Sequence, residues 1–289
     1  MAELIMEKSV LITGASSGIG KETAELLSSK GYMVFACIRK KTDKFELEKI
    51  SPNICGVYMD ISNPSGIDKA FWFVLKKAQN LTAIINCAGI AVGGPLETMP
   101  VKRIKQQFEI NTFGTFSVIQ RFLPLIKEGR IIYISSMASS GIFPFLAPYC
   151  ASKRATDILL NSLSNEFKNE NIKIISVKPG VIRTPLWDKA ARENLSYFQT
   201  LSETCRKKYE AEMNYLVENS RQNNHRGAFP ADVAQVVLKA LESKNPKSSY
   251  TVGKDAFWVM LLSKICPQGF INSLTKLKLS DICKKYQSK

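Results

Sequence analysis

Tyr149 and Lys153 stand four residues apart in Tyr149-Cys150-Ala151-Ser152-Lys153. On a helix, side chains at i and i+4 share a face, so the ammonium can lie near the phenol oxygen. A free phenol titrates near pH ~10, too high for efficient acid–base work at neutrality. A nearby cation stabilises the phenolate and lowers that value. The pair therefore reads as a tuned proton donor and acceptor, although the same spacing is common on helix surfaces. Neighbouring residues add weight. Ser135 and Ser136 close a strand-like run beginning at Arg130. Hydroxyls at the carboxyl end of a parallel strand can hydrogen-bond a carbonyl or alkoxide oxygen. Asn86-Cys87-Ala88-Gly89 follows another such run, and Asn111 falls inside a helical pattern, where Asn ordinarily costs stability or points outward.

A second constellation lies near the start, in Thr13-Gly14-Ala15-Ser16-Ser17-Gly18-Ile19-Gly20. Glycines stand there where a strand must turn sharply into a helix. Gly14 permits the turn, Gly18 lets backbone approach a pyrophosphate, and Gly20 lets the helix pack close to the sheet. The helix start then offers free N–H groups and a positive dipole end to phosphate. A site for NAD(H) would place Asp or Glu after the second strand, to hold the ribose 2′-hydroxyl. This chain has Ile38, Arg39 and Lys40 instead. A guanidinium pairs bidentately with a 2′-phosphate, and Ser17 can donate to the same group. NADP(H) is the expected cofactor.

The elements that must position these residues follow from hydrophobic pattern. Strand-like runs are expected at Ser9–Thr13, Tyr32–Ile38, Ile54–Met59, Ala83–Asn86, Arg130–Ser135, Lys173–Val177 and Tyr250–Val252. Helical patterns are expected at Gly18–Lys30, Ser65–Ala78, Val101–Ile126, Pro148–Lys168 and Pro230–Glu242, with a long polar helical stretch from Leu186 to Arg226. Such alternation predicts an α/β fold, a doubly wound parallel sheet of about seven strands covered on both faces. Residues 1–255 read as one dinucleotide-binding and catalytic domain, with a lid over about 184–228 and a C-terminal extension over 256–289.

Composition narrows the chemistry further. The 289 residues carry a formal charge of +15, which favours anionic partners without choosing among them. No helix-turn-helix, zinc or single-strand motif points to nucleic acid. The seven cysteines are scattered, no C-x-x-C occurs and His225 is the only histidine, so no metal site is expected. Reduced thiols in a cytoplasmic protein fit that usage. No secretory signal is visible at the N-terminus.

Taken together and in order, Thr13–Gly20, Asn86–Gly89, Asn111, Ser136, Tyr149–Lys153 and Pro179-Gly180 resemble the short-chain dehydrogenase/reductase family, over roughly residues 5 to 252. The resemblance implies that Tyr149 is the acid–base residue and that Ser136 orients the substrate oxygen. Lys153 would lower the tyrosine pKa and hold the nicotinamide ribose, and Asn111 would position a water in a proton relay through Lys153. It also implies cofactor contacts from Gly14, Ser16, Ser17, Gly18, Ile19, Gly20, Arg39 and Lys40. Further contacts are implied from Asp60 (toward adenine), Ile61, Asn86, Ala88 and Gly89, and from Pro179, Gly180, Ile182 and Thr184 toward the nicotinamide. The family usually has Asn where this chain has Cys87. A homodimer or homotetramer, paired through the long helices at Val101–Ile126 and Pro148–Lys168, is expected on the same basis.

The lid stretch contains Leu186, Trp187, Tyr197, Phe198, Tyr209, Tyr215 and Leu216, and the loop 139–146 adds Ile142, Phe143, Phe145 and Leu146. These predict a bulky apolar carbonyl or alcohol substrate; together with Val34–Arg39 and Tyr250–Ala256 the chain also resembles the steroid, retinoid and acyl-lipid reductase branch of the family, which implies a substrate of ketosteroid, retinal or acyl-lipid type. A non-catalytic nucleotide-binding protein on the same scaffold is the competing reading. The extension holds Trp258, Leu261 and Leu262 among lysines, a pattern that suits peripheral membrane contact as well as a helix packed on the domain or on a second subunit.

Overall fold

The computed structural model describes residues 8–167 and 171–267, with positions 269, 270, 273, 277 and 281 beyond them. Its centre is a seven-stranded sheet in the order β3-β2-β1-β4-β5-β6-β7, parallel throughout. The strands are β1 (Ser9–Thr13), β2 (Met33–Ile38), β3 (Ile54–Tyr58), β4 (Ala83–Asn86), β5 (Gly129–Ile134), β6 (Ile172–Pro179) and β7 (Ser249–Val252). All residues of β1 and β4 are buried, because helices cover both faces; that is why these strands are continuous apolar runs rather than alternating ones.

One face is covered by α1 (Gly18–Ser29) and α9 (Pro230–Glu242), which pack on each other and on Val10, Ile12, Val34 and Ile85. The other carries α3 (Pro64–Lys77), α5 (Thr115–Phe122) and α6 (Ala147–Glu166) over Leu11, Phe35, Ile84 and Tyr133. Strand order reverses between β1 and β4, and their carboxyl ends open there into the crevice where such folds bind ligands.

Three features depart from the sequence expectation. A short helix, α2 (Lys41–Glu48), follows Lys40; only Leu47 of it is buried, so it shows almost no apolar periodicity. The helix expected over Val101–Ile126 is broken into α4 (Val101–Phe108), a π-helical turn (Glu109–Gly114), α5 and a 3₁₀ turn at Leu123–Leu125. Gly114 sits against the Ile61 carbonyl, where a Cβ would come within 2.6 Å of the oxygen. The lid is two helices, α7 (Pro185–Gln199) and α8 (Glu203–Arg226), whose base is closed by a bridge between Ile182 and Ala228. A further helix, α10 (Lys254–Ile265), follows β7. The six cysteines among the described residues are free. The side chain of His225 and most of 268–289 lie outside the described residues.

Candidate active site

Gly14 has φ +66°, and a Cβ there would approach the Ala88 backbone N and Cα to 2.8 Å. Backbone from β1 and β4 therefore comes together at this point only because the residue lacks a side chain. The Thr13 hydroxyl pins the second partner, accepting from the N–H groups of Cys87 (3.1 Å) and Ala88 (3.2 Å). Ser17 caps α1 with no side-chain hydrogen bond to the first turn, which leaves that turn's N–H groups facing the crevice. On Gly20 a Cβ would collide with the Gly14 carbonyl oxygen.

This turn forms one wall of a cleft of about 250 Å³. Gly14, Ser16, Ser17, Gly18, Ile19 and Gly20 line it, as do Arg39 from the end of β2 and Asp60 and Ile61 after β3. The segment after β4 contributes Ala88 and Gly89, and the segment after β6 contributes Pro179, Gly180, Ile182 and Thr184. Ser136, Tyr149 and Lys153 close the inner end. Burial pushes the Asp60 carboxyl upward, but hydrogen bonds from Ser62 and the Arg39 charge together hold it below its ordinary value.

Three expected residues stand outside the lining. Lys40 is exposed at the start of α2. Asn86 is buried in β4 with neither amide atom hydrogen-bonded. Asn111 lies in the π-helical turn behind Gly89; its Oδ1 accepts from Ile90 N (2.9 Å) and its Nδ2 donates to Ile90 O (3.0 Å) and Ser152 Oγ (3.2 Å). It thus fixes the backbone that Gly89 presents to the cleft. Residues that sequence reasoning missed include Cys87, Ile90 and, from α7, Lys189 and Glu193. Ser135 stands in the sequence beside Ser136 as a hydroxyl at the strand end. Its hydroxyl is buried, lines the cleft and has no hydrogen-bond partner among the described residues. The two lid residues carry no signal before the lid is folded over.

Tyr149 sits on the first turn of α6, just after Pro148, within a small apolar cluster that includes Ala91, Ala138 and Ala190. Trp187 packs edge-on against its ring at 6.0 Å. Burial pushes the phenol up to about 12, while a hydrogen bond with Ser136 pulls the other way. Lys153 differs from the sequence expectation here. Its Nζ donates to the Ile134 carbonyl at 2.8 Å and lies over the Tyr133 ring at 4.7 Å. Burial brings it down to about 8, with Asp157 and Cys87 opposing. For the Tyr149 phenol, desolvation is the largest influence, ahead of the Ser136 hydrogen bond. Asp157, one turn further along α6, pairs with Lys178 Nζ at 2.8 Å and accepts from Ser176 Oγ at 2.8 Å.

Beside Tyr149 a second, smaller chamber of about 120 Å³ is walled by Met137, Phe143, Leu146 and Val181, and by Trp187 and Ala190 of α7, which face both cavities. Met213, Leu216 and Val217 of α8 add apolar wall, and Asn194, Asn219 and Ser220 give it a polar side. Of the other candidates, Ile142 is exposed, while Tyr197 donates to Thr98 O (2.8 Å) and lies under Arg103, and Phe145 meets Tyr209 edge-on. These three rings fasten the lid rather than line the chamber.

A nicotinamide nucleotide fits this arrangement: the glycine cradle leaves no room for a side chain, an uncapped helix start faces the cleft, and the Ser135 hydroxyl awaits a partner. Fold and site together define a dinucleotide-binding oxidoreductase class. The family model described as short chain dehydrogenase matches residues 8–195, and the chain belongs to that family, whose members bind a nicotinamide cofactor and transfer hydride to or from small molecules. It is 34% identical over 267 residues to the uncharacterized oxidoreductase YbbO of Escherichia coli K12, covering 91% of this chain and 92% of that one. It is 30% identical to an NADPH-dependent 3-dehydrocapnine reductase of Ornithobacterium rhinotracheale, covering 84% and 87%. Among solved structures, a short-chain dehydrogenase from Streptomyces avermitilis superposes with a TM-score of 0.74 at 22% identity, covering 98% of both chains.

Proposed function

We propose that the protein is an NADP(H)-dependent carbonyl reductase or alcohol dehydrogenase acting on a bulky apolar substrate of ketosteroid, retinal or acyl-lipid type. The observation that carries this reading is the position of Tyr149. Its side chain lines the glycine-cradled cleft with Ser136 in hydrogen-bonding reach, and its ring packs against Trp187, which also walls the neighbouring chamber.

Bound nicotinamide supplies the hydride donor or acceptor. The chain's own residues place the substrate and handle the proton. Ser136 holds the substrate oxygen through its hydroxyl. Tyr149 Oη gives that oxygen a proton during reduction and takes it back during oxidation. Lys153, fixed by Ile134 O, keeps a positive charge near the ribose end of the site, and Asn111 holds the Gly89–Ile90 backbone in place. Trp187 and Ala190 exclude water from the reacting centre, and the lid they belong to closes the chamber. Arg39 lines the cleft just after β2, in a stretch Ile38-Arg39-Lys40 that holds no Asp or Glu; this, and the NADPH-dependence named for one relative, support NADP(H). The four residues Asn111, Ser136, Tyr149 and Lys153 have no use in a purely regulatory nucleotide-binding protein. We also propose pairing of two copies through the α4–α6 face, where Phe113 and Ile158 are exposed.

A panel of ketones and aldehydes of graded size, run with NADPH and with NADH, tests the proposal. Apolar ketones with NADPH are expected to give the highest kcat/KM, and Arg39→Asp to erase or reverse the cofactor preference. Faster turnover of small polar carbonyls would discard the substrate class, and unchanged discrimination would remove Arg39 from the site.

A further inference from the structure

Of the twelve residues of α10, Lys254–Ile265, eight are apolar, yet only Ala256 is buried. Phe257 is 55%, Trp258 58% and Ile265 70% exposed, and Leu262 stands exposed beside them. Helices this apolar are ordinarily buried in a core or in lipid, and a patch of this kind marks an interaction surface. The helix is too short to cross a bilayer, and none among the described residues is long and apolar enough to do so.

Charge selects the occupant. Lys254 and Lys264 flank the apolar side chains, and from Lys264 to the C-terminus the chain carries six lysines against one acid, Asp281. The other acid of the helix, Asp255, is turned to the protein, where its Oδ2 accepts from Val181 N at 2.7 Å. A twofold contact between copies through one short helix would bring these lysines together at a cost. An anionic lipid headgroup layer meets them favourably while aromatic and aliphatic side chains enter the acyl boundary.

We propose that α10, with the basic segment that follows, docks the protein onto an anionic membrane surface and sets the apolar chamber beside it. α10 touches the Met137–Ser139 turn and holds Val181 through Asp255; Met137 and Val181 are both walls of that chamber. The docking itself is independent of the proposed chemistry. Only its consequence, that an apolar substrate enters from the lipid side, rests on that reading.

The test is co-sedimentation of the full chain with vesicles of phosphatidylcholine alone or of equal parts phosphatidylcholine and phosphatidylserine. No turnover is needed, so failure here is distinct from failure of the enzymatic reading. The protein is expected to sediment with the mixed vesicles, less with phosphatidylcholine alone, and to be released by salt. The double variant Trp258→Ser, Ile265→Ser is expected to lose at least about tenfold in partitioning, since two exposed anchors are removed. Its circular-dichroism melt is expected to match the parent. Should it misfold, Lys264→Glu reads the same face and is expected to weaken binding to the mixed vesicles only. Parent protein that stays in the supernatant would overturn the proposal. So would variants that sediment like the parent, or a double variant whose only change is a lower solution mass, which would make the face a contact between copies.

Discussion

Burial pushes the Tyr149 phenol up to about 12, which favours its neutral form; in the proposed reaction that is the form that donates a proton during carbonyl reduction. Tyr149→Phe removes that proton and little volume. Turnover is expected to fall at least about a thousandfold, with NADPH affinity, read by fluorescence titration, largely kept; wild-type rates in the variant would end Tyr149's role. Lys153 brings a pH limit. Its protonated form is lost as pH rises through about 8, so kcat/KM is expected to decline on that side. Asp157 raises the Lys153 value; Asp157→Asn is therefore expected to move the limb to lower pH. It also leaves Lys178 without its buried partner, at a cost of about 3 kcal/mol in denaturant unfolding. An unmoved limb would exclude Asp157 from tuning the site. The Tyr–Lys spacing and the serines were legible in sequence because they lie within one helix and one strand end. The direction of the tyrosine shift was not, because Ala91, Ala190 and Trp187 reach it from distant parts of the chain.

Elements were legible wherever the hydrophobic pattern was strong. Every strand was placed to within two residues at each end, since buried parallel strands are uninterrupted apolar runs bounded by polar or glycine residues. α2 escaped because a short polar helix with one buried side chain has no periodicity to read. The break inside Val101–Ile126 escaped for a different reason: the π-helical turn exists where Gly114 meets the Ile61 carbonyl, a contact between segments about fifty residues apart. That turn is also what carries Asn111 to Ile90 and Ser152. The strand-to-helix turn after β1 was legible in full, and it gives the sharpest test at this scale. Gly20→Ala would drive a methyl into the Gly14 carbonyl oxygen. The strain is expected to cost about 1–3 kcal/mol in thermal or denaturant unfolding, and displacement of the turn to weaken NADPH binding. An alanine variant with parental stability and affinity would show that the cradle is not close-packed.

Across the molecule's described residues, the cleft and the chamber lie side by side, sharing Trp187 and Ala190, and apolar side chains stand exposed on α4–α6 and on α10. The sequence could announce an aromatic-rich lid but not which rings would line the chamber, because Tyr197, Phe145 and Tyr209 are taken up in fastening α7 and α8 to the body. Trp187 alone of the lid aromatics borders both cavities.

The three indoles of the chain are thereby sorted by environment: Trp72 and Trp258 face water, and Trp187 borders the reacting centre. Intrinsic emission becomes a built-in gauge of site occupancy. Addition of NADPH should quench one component through energy transfer to the reduced ring, and Trp187→Phe should erase most of that quenching while leaving the emission of the outer pair in place.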